Sequence, residues 1–347
     1  MRLCQSGIPL KTTFFKFCGV ALPVSLLISA CGVSTPSIRG NQEKNSLTGS
    51  SGLNGKVLAV KIDDTPPAHP QIGLASADVV YIEQVEGGLT RLAAIFSSKI
   101  PENIGPVRSA RISDLDILAQ YGKVAFAYSG AQTAFRPKIK EANLIDLSAE
   151  HEPPSVYFRD SSRQAPTDMI LNAPALLTKA EKEGTSIEVA KSVGWEFGNK
   201  PDNGRSIISA TVRWPASRYN FTWSPVENRW LISYRDQPNF DSTGFQLGPK
   251  NVFIQLVSIM DSEYHDKFGG ITPVSKTVGV GFGYLLRDGE VFKVNWKRET
   301  ADSGTTFTTA DGKVAYFTPG QIWVALTDKE PEFSFPLPKE TATKKSK

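Results

Sequence analysis

Two apolar runs, Val79–Val85 and Leu89–Phe96, flank the dipeptide Gly87-Gly88, and this arrangement constrains the fold more than any other stretch. Glycine adopts the left-handed backbone that a tight hairpin requires, so the pattern predicts two antiparallel strands joined by a two-residue turn. In that register Glu86 faces Leu89, Val85 faces Thr90 and Gln84 faces Arg91. One face then carries Val80, Ile82, Gln84, Glu86, Leu89, Arg91, Ala93 and Ile95. Arg91 lies diagonal to Glu86, within cross-strand reach. Glu83 falls on the other face from Glu86, which excludes the two as a glycosidase pair.

Past a turn at Pro101–Pro106, Arg108 and Arg111 lead into a helix with Ser113 as its expected N-cap and Asp114 and Asp116 in its first turn. Arginines beside the free N–H groups of a helix start make an anion site. The same charges can equally neutralise one another and simply fasten the hairpin to the helix.

The strings VEGGLTR and IGPVRSAR in this region resemble the YerB-like family of bacterial lipoproteins. RDSSRQAP at Arg159–Pro166, KNVFIQ at Lys250–Gln255 and the later GFGYLLRDGEVFKVNWKRE run fit the same family. The resemblance spans most of the chain after about Lys56. It implies a two-part domain without a characterised reaction. Relatives usually carry His-Asn after the Ala-Pro pair, whereas Thr167-Asp168 stand here, which argues against a shared histidine mechanism.

The first thirty residues read as a secretory leader: Arg2, Lys11 and Lys16, then an apolar stretch from Phe17 to Ala30. Pro23 and the short length argue against a membrane span. Ile28-Ser29-Ala30-Cys31 has the form of a lipobox, with Cys31 as the lipid attachment site and the membrane as its partner. Cys4 and Cys18 leave with the leader, so no internal disulfide can form. Removing the leader's three basic residues from the 39 lysines and arginines leaves 36 against 35 acids, which removes the charge argument for a nucleic-acid partner. The expected location is the outer side of a bacterial cell membrane.

Residues 31–55, rich in Gly, Ser, Asn and Thr, read as a flexible tether of about 25–30 Å. The expected fold class is α+β. A mixed α/β domain covers 56–177, a connector 178–205, a mainly antiparallel β domain 206–330 and a disordered tail 331–347. Tryptophans at 214, 223, 230, 296 and 323 fall in the second domain at strand spacing, where they read as core.

No metal or cofactor motif is present. His69, His151 and His265 are scattered, and Gly279-x-Gly281-x-Gly283 sits in a strand run rather than before a helix. Two functional readings follow. The first is a lipid-anchored binding protein with an arginine-lined pocket (Arg91, Arg108, Arg111, Arg159, Arg163, with Glu86) for an anionic cell-wall ligand or an envelope protein. The second is an envelope hydrolase using Glu86 as general acid or base.

Overall fold

The computed structural model describes residues 43–266 and 268–337. The leader, Cys31 and the start of the tether lie outside the described residues, as does the tail from residue 338. The described residues belong to one compact unit.

Three strands form the centre: β1 (Leu58–Asp63), β2 (Val79–Gln84) and β3 (Thr90–Phe96). They are Val-, Ile- and Ala-rich and buried almost throughout, as expected for strands covered on both faces. β3 lies between β1 and β2, antiparallel to both. They belong to an eleven-stranded sheet whose other strands come from both halves of the chain. Ile322–Thr327 runs parallel to β2 on one side and to Asn251–Leu256 on the other. The two expected domains are therefore joined by a shared sheet rather than spaced apart by a connector.

A second, five-stranded sheet contains the meander Ser209–Trp214, Ser217–Ser224 and Arg229–Tyr234. Its Val212, Phe221, Trp230 and Ile232 share a core with Val80, Ile82, Leu92 and Ala94 of the central sheet. On the other sheet face, Tyr81, Ala93 and Ile95 pack with Ile117 and Leu118 of helix α1 (Ile112–Ala119). Three α-helices occur among the described residues, so the chain is β-rich.

Several loop assignments change. The tether reading fails from Asn45 onward: its side-chain oxygen accepts from Leu47 N (2.9 Å) and Thr48 N (3.2 Å), and Leu47 is fully buried. The connector is packed too, with Trp195 stacked on Phe307 at 4.9 Å between ring centres. Glu332–Ser334, expected in the tail, pairs with Ser209–Thr211. In each case a few apolar side chains in a polar string find a core that local composition cannot reveal. The tryptophans do pack inside; Trp214 donates to the Leu326 carbonyl at 2.8 Å and Trp323 is fully buried.

The sheet strand that begins at Asn251 ends at Leu256. Ile259–His265 leaves the sheet and pairs with Ile271–Ser275 as a two-stranded arm. That arm reaches back to the hairpin tip.

Candidate functional site

The hairpin register differs from expectation by one residue. Glu83 pairs with Arg91 and Gln84 with Thr90, and Val85 N–H donates to the Leu89 carbonyl at 2.8 Å. The turn is therefore the three residues Glu86–Gly88. Gly88 has φ +71° and lies so close to Pro215 that an added Cβ would meet its ring at 2.4 Å, so only glycine fits. The slip moves Arg91 to the opposite face from Ile82 and Gln84. It now stands in a row with Asp63 and Glu83 across three strands, at the charged end of the face that α1 covers.

The loop before α1 supplies the other arginines. Asp63 N donates to the Pro106 carbonyl and Arg108 N to the Lys61 carbonyl, both at 2.8 Å, so this loop runs along the end of β1. Arg108 Nε then meets Asp63 at 2.6 Å. The helix N-cap is Arg111 rather than Ser113: Arg111 N–H donates to the Asp114 carboxylate at 2.7 Å. Ser113 lies inside the helix, where its hydroxyl accepts from Ser275 N of the arm at 3.0 Å. Arg111 Nε meets Glu86 at 2.6 Å.

Beneath them lies a fully buried triad. Lys61 bridges Glu83 and Asp114, the latter at 2.7 Å. Glu83 Oε2 has no hydrogen-bond partner. Burial, followed by the neighbouring Asp114, raises the Glu83 pKa, and the unpartnered oxygen is consistent with a carboxyl that holds its proton readily. Glu86 goes the other way. Burial raises its pKa, but the bond and charge of Arg111 and the bond from Thr272 outweigh this, and the net shift is down. Thr272 Oγ1 also accepts from Gln132 at 2.8 Å, so the arm closes over the cluster.

Saturated and held ionised, Glu86 has neither a proton to give nor a free lone pair aimed at a substrate. This geometry disfavours the general acid or base expected from sequence. Glu83 and Glu86 are not isolated on two faces either, because Arg111 acts electrostatically on both.

Three of the five arginines gather here and two do not. Arg159 pairs with Asp168 at 2.7 Å with a side chain 61% exposed. Arg163 meets Asp160 and donates to the Ala68 (3.1 Å) and Pro70 (2.6 Å) carbonyls, bracing a different loop. Sequence reasoning missed Lys61, whose signal was a lone lysine inside the apolar run VLAVKI. It also missed Thr272 and Gln132, which no local pattern marks.

Lys61, Arg91, Arg108 and Arg111 match the four carboxylates Asp63, Glu83, Glu86 and Asp114 in number, but the contacts are uneven. Asp63 takes Arg108, Glu86 takes Arg111, and Glu83 and Asp114 share Lys61. Half-buried Arg91 forms no ion pair among the described residues. It donates to the Ser109 carbonyl at 3.0 Å, an oxygen that Arg111 also approaches at 3.4 Å. Burial, then the Arg111 and Arg108 guanidiniums, pull its pKa down to about 9. No metal-ligating cluster occurs among the described residues, and none of their helices is long and apolar enough to cross a membrane.

Comparison with known proteins identifies the family. The family model described as "Protein of unknown function (DUF3048) N-terminal domain" matches residues 47–186, and its C-terminal counterpart matches 210–324. The chain is 24% identical over 282 residues to "Putative lipoprotein YerB" of Bacillus subtilis (strain 168), covering 78% of this chain and 80% of that protein. The crystal structure of YerB from Bacillus subtilis superposes with a TM-score of 0.72 at 23% identity, covering 84% of this chain and 99% of the other. That likeness speaks to the fold. Matched on both sides of the shared sheet, the chain belongs to the YerB-like family of proteins of unknown function.

Proposed function

We propose that the chain is a lipid-anchored protein of the extracytoplasmic membrane surface that binds an anionic envelope ligand, or an acidic partner protein, at Arg91. The anchor rests on the lipobox ending at Cys31 and on a relative named a lipoprotein. One observation carries the binding reading: two guanidiniums share the Ser109 carbonyl, and one of them, Arg91, makes no direct ion pair among the described residues, although Asp63 and Glu83 stand opposite it in the sheet register. Clustered like charges are costly, and an anion at this point would relieve the repulsion while gaining charge-assisted hydrogen bonds. Arg108, whose side chain is 24% exposed, stands beside it to complete the contact. Arg159 and Arg163 are not part of the site in this reading.

The test is a thermal-unfolding titration with inorganic phosphate against chloride at fixed ionic strength. Phosphate should raise Tm as binding to the native state alone requires. Arg91→Gln should abolish the response. Arg159→Ala should retain it. Equal responses to phosphate and chloride would overturn the site. Cys31→Ser with fatty-acid labelling tests the anchor separately: labelled wild type and unlabelled variant are expected, and an unlabelled wild type would refute it.

A further inference from the structure

A second, independent site lies at the seam between Pro66–Pro70 and the Tyr234–Phe240 hairpin. It is a cleft of about 530 Å³, within the range of small-ligand pockets. Pro66, Pro70, Pro238 and Phe240 supply apolar walls, and His69, Arg235 and Asn239 supply polar groups. No carboxylate lines it.

Its polar groups are fixed and donor-rich. His69 stacks on Tyr234 at 4.3 Å between ring centres and lies 3.3 Å from the buried Asp64 carboxylate through Nε2. Its Nδ1 faces Asn239 Oδ1 at 3.0 Å. Burial lowers the His69 pKa, but the bond and charge of Asp64 and the Asn239 contact outweigh it, and the net shift is up. The Asn239 atom facing the ring is its oxygen, and Gln71 Nε2 lies 3.3 Å from His69 Nε2 on the other side. Asn239 Nδ2 is then left as a buried donor without a partner, in a residue only 2% exposed. Such a group costs free energy until an acceptor arrives. The walls are tied by hydrogen bonds: Asn239 N donates to the Ile232 carbonyl at 2.9 Å, and Arg163 donates to the Ala68 and Pro70 carbonyls on the facing side.

We propose that this cleft binds the carboxylate end of an apolar ligand, either a peptide C-terminus or a free hydrophobic acid. The carboxylate meets Asn239 Nδ2 and the exposed Arg235 guanidinium, and the apolar body lies against the prolines and Phe240. A sugar fits less well, because each hydroxyl brings a donor and the walls offer few acceptors. The binding needs no contact with Arg91, so it stands or falls apart from the first site.

The experiment is ligand-observed saturation-transfer NMR on the full chain. The probes are acetyl-leucyl-alanine with a free C-terminus, the same dipeptide amidated, octanoate and methyl N-acetylglucosaminide. The free acid should bind about tenfold or more tightly than its amide, as expected for loss of one charge-assisted contact. Arg235→Gln, a change at an exposed turn, should weaken the acid by a similar factor, and Asn239→Ala should do the same if it folds. Preference for the dipeptide over octanoate identifies a peptide terminus, and the reverse a free acid. Acid and amide binding alike, no transfer to either acid at millimolar concentration, an unchanged affinity in Arg235→Gln, or tighter binding of the glycoside would each overturn the proposal.

Discussion

Two arginine-rich stretches, Arg108–Arg111 and Arg159–Arg163, look alike in sequence and behave differently in the fold. The first is drawn under α1 and the arm, where desolvation makes every pairing consequential. The second stays near the surface; its Arg159–Asp168 pair is screened and contributes little. Burial, rather than residue type, separates a charge cluster held out of water from a loop held by ordinary contacts.

The largest effect expected from this contrast is at the buried triad. Lys61→Met leaves Glu83 and Asp114 without their cation and should cost about 3–5 kcal/mol, measured by urea unfolding. A loss below about 1 kcal/mol, the range of exposed pairs, would erase the distinction between the two regions. Thr272→Val removes the arm's bond to Glu86 and should cost about 1.5–3 kcal/mol. Hydrogen exchange should report it as earlier opening of the Ile259–Ser275 arm, and unchanged protection there would show that the arm is not held by the cluster.

A smaller effect concerns pH. Glu83 has a raised folded pKa, so the native state keeps a proton that the unfolded chain releases. Its contribution is complete below the ordinary carboxylate range and is lost as pH rises through the raised value. His69 is also raised, so its share is complete below its ordinary 6.5 and is lost above that. Urea midpoints should therefore fall with rising pH above the titration of Glu86. Glu83→Gln should flatten the lower part of the slope and His69→Gln the upper part; a wild-type slope retained in Glu83→Gln would reassign it. Smallest of all, Arg159→Ala should change stability by less than about 1 kcal/mol, and a larger loss would mean that the outer loop is also structural.

Much of the strand pattern was legible because it is local. β1 (Leu58–Asp63) and Arg229–Tyr234 each carry a strand pattern within a few residues. The turn at Asp288-Gly289 is equally local, with both residues at positive φ. The hairpin at Gly87-Gly88 was foreseen but its register was not. The glycine pair permits either loop length, and the longer one places Glu86 within reach of Arg111 and Thr272, contacts spanning 25 and 186 residues. The burial of Leu47 and Trp195 is not written locally, for a related reason: a single large apolar residue in a polar string is a weak signal until a core exists to receive it.

Strand alternation, the turn glycines and the leader-like start are written locally, since each depends on neighbours within a few residues. Which charges meet was decided only by the tertiary structure. Lys61, Glu83, Arg91, Arg111 and Thr272 come from separate elements, and their pairing depends on which faces are desolvated together once strands from both halves of the chain share one sheet.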